Sequence, residues 1–214
     1  MSSRSSRPLL LLVPLLAATG CAITRVPSPK PINWYLGHRN DVVGVRRIMV
    51  LPFRAAAGVQ ADTHVVRESF LAELAKIQRF ELIPLPTGTA EDDKIYRALT
   101  RGRISAESLV ALAKRYKLDG VLVGTVTSYR PYLPPHLGLR TKLFSVHSGS
   151  FIWAAEGLYD ANDVRTMEDL EHYQETFLAA ESSMHGMRMN LLSPRKFAAY
   201  VSHRLVGTWR LARL

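Results

Sequence analysis

The pattern of apolar and polar positions predicts a folded part that opens on a buried strand. Residues 46–53 read RRIMVLPF, and their continuous apolar run ends at Pro52. An uninterrupted apolar run closed by proline is typical of a central strand covered on both faces. A second, short strand is predicted at residues 80–82, ahead of Pro84 and Pro86.

Apolar residues at helical spacing predict a helix between these two strands, from Asp62 to Gln78. They follow one another at intervals of four, four and three, and they are Val66, Phe70, Leu74 and Ile77. This spacing places them on one face of the helix, and Asp62 is the expected N-cap. The opposite face is expected to carry Arg67, Glu73 and Lys76 into solvent.

Four further helices are predicted, at residues 91–99, 105–116 and 164–181 and from 194 nearly to 214. Gly102 separates the first two, and Ser105 is the expected N-cap of the second. The buried face of that second helix is expected to hold Leu109, Leu112 and Ala113. Ser193 and Pro194 form the N-cap and the first position of the last helix.

The stretch between the helices predicts three consecutive strands, at residues 121–129, 137–146 and 150–159. The first is apolar on both faces as far as Gly124, and polar and apolar residues alternate after it. In the second strand one face should carry Leu137, Leu139, Thr141 and Leu143, opposite Arg140 and Lys142. A proline-rich bend at residues 130–136 and a tight turn at 147–149 join the three strands.

The predicted element order is β-α-β-α-α-β-β-β-α-α, within one domain at residues 46–214. The early βα units imply parallel strands with right-handed crossovers, and the later strands add antiparallel neighbours. We therefore expect an α/β (α+β) fold with a single mixed β-sheet covered by helices. The length of 214 residues is sufficient for one domain with its own core.

The N-terminal residues predict export and a lipid anchor. Two arginines precede the apolar run LLLLVPLLAA at residues 9–18, which is shorter than the ~20 residues of a spanning helix and typical of a signal peptide. Small residues then lead to Cys21, as in a bacterial lipoprotein signal. Residues 1–20 are expected to be removed and Cys21 to be acylated; ordinary secretory cleavage after Gly20 is the alternative. Ala22 favours sorting to the outer membrane.

The composition of the chain excludes several kinds of cysteine chemistry and makes a nucleic-acid partner unexpected. Cys21 is the only cysteine, so the chain has no intrachain disulfide, no CxxC redox pair and no cysteine-based zinc site.

Residues 21–45 are predicted to be the acylated cysteine and a proline-rich tether, in which Trp34 and Tyr35 insert at the lipid interface or cap the domain. The net charge of +10 is spread along the chain without the aromatic stripe of single-strand binders, so we expect no nucleic-acid partner and a surface suited to an anionic membrane.

Three strand motifs carry a resemblance to a known family. They are LPF at residues 51–53, DGVLVGTV at residues 119–126 and GSFIW at residues 149–153. They resemble the (V/I)xVLPF, (A)DxVLxGxV and G-x-(I/L)-W motifs in the periplasmic domain of the curli-secretion (CsgG-type) lipoproteins. Relatives of that family include the lipoprotein activators of penicillin-binding proteins and the N-terminal domain of the TolB translocation protein.

The resemblance implies an anticodon-binding-domain-like fold over residues 46–160 and a periplasmic role in envelope assembly or secretion. The expected partner is another envelope protein, and the expected location is the periplasmic side of the membrane that holds the lipid anchor. The connections between the predicted strands are short, which leaves no room for the membrane-inserting hairpins of the pore-forming curli protein. We therefore expect a protein that is not itself a pore.

The sequence offers little catalytic or metal-binding chemistry. It has no HExxH, GxSxG, GxGxxG or P-loop motif, so no enzyme and no cofactor are expected. Glu168 and His172 stand at helical spacing without a second histidine, which favours a solvated helix face over a zinc site. Soft ligands that suit Cu(I) occur together at Met184, His185, Met187 and Met189. A Met-rich loop packed on a helix or partner is the preferred interpretation, so no metal is expected.

The bend at residues 130–136 is the remaining candidate site. Tyr129, Arg130 and Tyr132 combine aromatic and arginine side chains, as contact surfaces between proteins often do. A stiff corner between two strands is the preferred interpretation. The sequence thus predicts a non-enzymatic, envelope-anchored lipoprotein that acts through protein contacts, and a periplasmic module binding a small ligand, glycan or metal is the alternative.

Overall fold

A computed structural model describes residues 30–37, 39–85, 106–178 and 193–211, together with Lys94 and Arg97. The strands in these ranges are β1 (Asn33–Leu36), β2 (Arg47–Val50), β3 (Arg54–Ala55), β4 (Glu81–Ile83), β5 (Gly120–Arg130), β6 (His136–Ser145) and β7 (Phe151–Asp160). The helices are α1 (Arg39–Val43), α2 (Thr63–Ala75), α3 (Ala106–Tyr116), α4 (Val164–Phe177) and α5 (Pro194–Leu211).

The strands form one mixed sheet in the order β1-β7-β6-β5-β2-β4, and β3 pairs with β5 beyond the end of β2. β2 runs parallel to β4 and to β5, because the helical connections through α2 and α3 return the chain in the same direction. β5, β6, β7 and β1 are antiparallel neighbours. The predicted α/β (α+β) class with a single mixed sheet is confirmed, together with its early parallel and late antiparallel parts.

Helices cover the two faces of the sheet unequally. On the first face, α2, α4 and α5 bury the main core, in which Leu122 and Trp153 from the sheet meet Phe70 and Tyr200 from the helices. On the second face, α3 covers β2 and the start of β5, where Leu112 packs with neighbours that include Met49 and Val121. Among the described residues, no helix lies over the β6–β7–β1 part of this second face.

The helix caps follow the sequence prediction, whereas two side chains of α2 expected in solvent do not. The Asp62 carboxylate accepts a hydrogen bond from the Val65 N–H at 3.1 Å, and the Ser193 hydroxyl accepts one from the Lys196 N–H at 3.3 Å. The Arg67 side chain is only 13 % exposed and donates a hydrogen bond to the Val50 carbonyl oxygen at 2.7 Å. Glu73 was expected in solvent but is only 4 % exposed. That prediction is wrong because α5 packs along α2 and places His203 against the carboxylate, 3.1 Å from Nδ1 to Oε2.

The folded part begins earlier than predicted. Asn33–Leu36 pairs with β7, and α1 is followed by Val45, which is buried in the main core together with Val42. The tether predicted for residues 21–45 is therefore too long, because residues from Asn33 onward already belong to the folded part. The short segment NWYL has no alternation of apolar and polar residues to mark it as a strand, and its pairing partner lies more than a hundred residues away in the sequence.

Two other predictions concern the edges of elements. Val123 was expected in a run buried on both faces, but it is only partly buried; it packs against the core under α3 and pairs with Lys142 of β6. The predicted helix at 91–99 lies outside the described residues except for Lys94 and Arg97, which are both helical. The Ser105 cap also lies outside them. No helix in the described ranges has both the length and the apolar character needed to cross a bilayer.

Glu73 is expected to make the free energy of unfolding depend on pH in the acid range. Burial by itself would raise the pKa of Glu73, but hydrogen bonds from His203 and Lys76 outweigh burial and lower it below its usual value of 4.5. A carboxyl group with a lowered folded-state pKa stabilises the fold above its unfolded pKa, and this contribution is lost as the pH falls through the folded-state pKa.

Urea unfolding of the Glu73→Gln variant should therefore show a loss of about 1–2 kcal/mol at pH 7 relative to the parent protein. The difference should shrink below about pH 4, where the parent carboxyl is also being protonated. Glu171→Gln on the exposed face of α4 is the control and should follow the parent curve. A Glu73→Gln deficit that stays constant from neutral to acid pH would contradict the assignment.

Candidate functional site

The uncovered part of the second sheet face is the best candidate for a functional surface, and we name it the open face. Paired residues on adjacent strands point to the same side of a sheet, and successive residues point to opposite sides. The register of β6, β7 and β1 therefore places one set of side chains together. This set comprises Asn33, Tyr35, Arg140, Lys142, Phe144, Phe151, Ala154, Glu156 and Leu158.

One row of the open face is an ion pair across two strands. Arg140 and Glu156 are direct partners in the β6–β7 ladder, and the guanidinium donates two hydrogen bonds to the carboxylate, at 2.8 and 2.7 Å. The hydrogen bond from Arg140 lowers the pKa of Glu156, and the same bond raises the pKa of Arg140. Both side chains are solvent-exposed, so the pair adds little stability. It does leave the two charges mutually neutralised.

The neighbouring row combines a cation with aromatic rings. Lys142 Nζ lies 4.9 Å from the centre of the Phe151 ring, and the Phe151 and Phe144 ring centres are 4.4 Å apart. Ala154 pairs with Lys142 on one side and with Tyr35 on the other, so a small side chain lies between two large ones. The result is a groove of about 500 Å³ lined by Tyr35, Lys142, Ser150, Phe151 and Ala154.

Large apolar side chains on the open face are unusually exposed. Tyr35 is 54 % exposed, Phe151 43 % and Leu158 54 %. Single exposed apolar residues are common on soluble proteins, but several on one continuous face mark an interaction surface. With Arg140 and Lys142 beside them, these residues form the aromatic and basic surface that protein interfaces favour.

The predicted contact at the bend is not a single patch. Tyr129 packs against the main core, and its pKa is raised by burial and then by the nearby charges of Asp62 and Tyr132. Arg130, the next residue, points to the opposite face and donates to the Pro134 carbonyl at 2.6 Å. Tyr132 is largely in solvent. These separate orientations agree with the preferred interpretation of the sequence, a stiff corner between two strands.

The other sequence candidates fall in two groups. Glu168 and His172 are exposed on α4, as expected of a solvated helix face. Cys21 and the soft ligands Met184, His185, Met187 and Met189 lie outside the described residues. Within the described ranges, no three His, Cys, Asp or Glu side chains are grouped so as to hold a metal ion.

One group of side chains has the composition of a hydrolase triad. Ser128 Oγ lies 2.7 Å from His136 Nε2, but His136 Nδ1 is 4.0 Å from Asp160 Oδ2, too far for a hydrogen bond. Asp160 instead accepts from the Asn162 backbone N–H at 2.9 Å and contacts Arg130 at 3.4 Å. The triad residues lie on paired strands, whereas an oxyanion hole needs N–H groups that converge on one point.

The open face was not predicted as a site, although part of its signal is visible in the sequence. Arg140 and Lys142 were placed opposite the apolar residues of their strand, which is where they lie. The sequence does not reveal that no described helix covers this face, or that Tyr35 of β1 lies next to Ala154. The Ser128 group was missed for the same reason, since only the strand register brings its members together.

Comparison with known proteins gives similarities of fold only. No protein-family model matches the chain, and no curated protein sequence matches it significantly. Among solved structures, the PelC dodecamer from Paraburkholderia phytofirmans is 14 % identical, with 78 % of this chain and 96 % of that chain covered and a TM-score of 0.43.

Two further solved structures are similar in fold to part of this chain. The lipoprotein GNA1162 from Neisseria meningitidis is 18 % identical, with 64 % of this chain and 99 % of that chain covered and a TM-score of 0.44. The C-terminal domain of LpoB from Escherichia coli is 16 % identical, with 53 % of this chain and 81 % of that chain covered and a TM-score of 0.40. At these identities the similarity concerns the fold alone.

Proposed function

We propose that the chain is a non-enzymatic lipoprotein of the cell envelope that binds another envelope protein through the open face, in assembly or secretion. One observation carries the proposal: part of a sheet face that no described helix covers exposes Tyr35, Phe151 and Leu158 together. In the same proposal Cys21 carries the lipid, and the domain lies in the periplasm, at the outer membrane.

The composition of the open face supports protein binding over simple solvation. Antiparallel sheets commonly leave one face in water, and such a face is then mainly polar. Here Tyr35, Phe144, Phe151 and Leu158 alternate with charged residues, so water covers a mixed aromatic and basic surface. A protein partner would remove the apolar part from water and keep the charges at its rim.

The shape of the open face favours a protein over a small molecule. Sites for small ligands are concave and enclose most of the ligand surface. The two grooves of the open face, of about 500 and 340 Å³, lie along strands β7 and β1 and share Tyr35, Lys142 and Ala154 in their linings. They form a broad, shallow surface, which suits a partner that covers several strands.

Placing acidic residues on the open face is expected to abolish partner binding without unfolding the domain. The double variant Tyr35→Asp with Leu158→Asp replaces two exposed apolar side chains on β1 and β7. After crosslinking of intact envelopes, proteins that copurify with the parent chain should be reduced at least tenfold, while the thermal unfolding midpoint stays unchanged.

A matched control uses Val110 and Val164, which are exposed apolar residues on α3 and α4. The double variant Val110→Asp with Val164→Asp introduces the same charge away from the open face and should copurify the same proteins as the parent. Equal recovery of partners by both double variants would show that the open face is not the binding surface.

A further inference from the structure

We propose that the groove over Ala154 binds an acidic segment of the partner protein, with an apolar side chain between Tyr35 and Phe151 and a neighbouring carboxylate on Lys142 Nζ. The inference rests on the proposed function and adds the chemistry of the partner. Three features of the groove carry it: its shape, its charge and the number of its cations.

The groove has an apolar floor and aromatic walls. Ala154 is the smallest side chain of its row, and the row continues to Tyr35 on β1 and Lys142 on β6. Phe151 packs against Phe144, its partner in the ladder, at 4.4 Å between ring centres, and this contact restricts the exposed ring. An apolar side chain inserted above Ala154 would contact both aromatic walls and lose its own exposure to water.

The charge of the groove is positive and local. Arg140 is matched by Glu156 through two hydrogen bonds, so neither charge is available to a ligand without loss of that pair. Lys142, in contrast, has no carboxylate within ion-pair distance among the described residues, and its ammonium lies over the Phe151 ring. A carboxylate beside the inserted apolar side chain would pair with this ammonium at the wall of the groove.

The number of cations favours a protein segment over a lipid surface. Recognition of anionic headgroups typically uses clusters of about four to eight Lys or Arg residues. The open face offers Arg140, which is already paired, and Lys142. The Lys142 ammonium over the Phe151 ring can pair with one carboxylate, and the groove beside it can hold one apolar side chain. An acidic stretch of polypeptide supplies both groups.

The test measures fluorescence anisotropy of a labelled peptide, acetyl-Gly-Ser-Phe-Glu-Phe-Asp-Ser-Gly-amide, with the full-length protein in detergent. Binding should be saturable and should weaken as salt is raised from 50 to 500 mM, because the ion pair is at the surface. Replacing the peptide's acidic residues by their amides, or its Phe residues by Ser, should each weaken binding at least tenfold. Equal binding of the acidic and amide peptides, or no binding of the acidic peptide, would overturn the inference.

Variants of the protein locate the binding. Lys142→Glu and Ala154→Trp, which reverse the charge and fill the groove, should each weaken peptide binding at least tenfold. Lys114→Glu, at an exposed position of α3, makes the same charge change and should leave binding unchanged. Lys142→Met keeps most of the side chain without its charge and should resemble Lys142→Glu, whereas retained binding by Lys142→Met would contradict a carboxylate contact.

The outcomes also separate this inference from the proposed function. Suppose that the Tyr35→Asp and Leu158→Asp variant loses its envelope partner but the Lys142 variants bind the peptide as tightly as the parent protein. The open face is then the binding surface, and the proposed ligand chemistry is wrong. Binding to phosphatidylglycerol vesicles that is lost in Lys142→Glu would assign the groove to a membrane. Concentration-dependent dimers that Ala154→Trp abolishes would assign it to a second copy. Either result overturns the inference.

Discussion

Replacing Trp153 by alanine is expected to lower the free energy of unfolding by about 4 kcal/mol. Trp153 is fully buried at the centre of the main core, and its ring is stacked on Trp209 with 5.2 Å between ring centres. Its indole Nε1 donates a hydrogen bond to Thr208 Oγ1 at 2.9 Å. The substitution removes the ring contacts, opens a cavity between β7 and α5, and takes a hydrogen bond from a buried hydroxyl.

Urea unfolding measures this loss, and Trp34 provides a control of the same residue type. Trp34 lies on the edge strand β1 and is 41 % exposed. Because its surroundings are partly water, Trp34→Ala should cost no more than about 1 kcal/mol. Similar losses for the two variants would mean that Trp153 is not at the centre of the core.

Replacing Asp169 by alanine is expected to lower the free energy of unfolding by about 3 kcal/mol. Asp169 is 4 % exposed, its Oδ2 accepts a hydrogen bond from the Tyr200 hydroxyl at 2.8 Å, and Arg204 Nε lies 2.9 Å from the same oxygen. Burial and the negative charge of Asp169 both raise the pKa of Tyr200, so this tyrosine stays neutral and donates. Without the carboxylate, the buried Tyr200 hydroxyl loses its hydrogen-bond acceptor and the largely buried Arg204 guanidinium loses its counter-ion.

The neighbouring residue on α4 supplies the control for Asp169. Glu168 is exposed, and Glu168→Ala should change the free energy of unfolding by less than about 0.5 kcal/mol. Asp169→Asn keeps the shape and one acceptor, so its loss should lie between those of the two alanine variants. If Asp169→Ala and Glu168→Ala unfold at the same urea concentration, Asp169 does not connect α4 to α5 as the structure shows.

The parts of the fold with local signals were predictable from the sequence. The apolar run of β2, the helical spacing of Val66, Phe70 and Leu74, and the alternation along β6 each identify a buried face from nearby residues alone. The caps at Asp62 and Ser193 are equally local, because a cap needs only the first turn of its own helix.

The parts that depend on distant packing were not predictable. From the sequence, Glu73 is predicted to face solvent, because the residue that buries it, His203, belongs to the distant helix α5. The segment of β1 is predicted to be part of the tether, because its pairing partner β7 is far away in the sequence. The same limit applies to the candidate site. Lys142 and Phe151 were each assigned to the correct strand, but their contact and the absence of a described helix above them follow from the assembled sheet.

Site-specific photocrosslinking tests the central claim, that the open face is the binding surface, most directly. A photoreactive amino acid at Leu158 on the open face and another at Val110 on α3 report on two exposed apolar positions of the same protein. In living cells, the probe at Leu158 should form an adduct with another envelope protein and the probe at Val110 should form none. Adducts at Val110 alone, or crosslinks from Leu158 only to residues of the same chain, would contradict the claim.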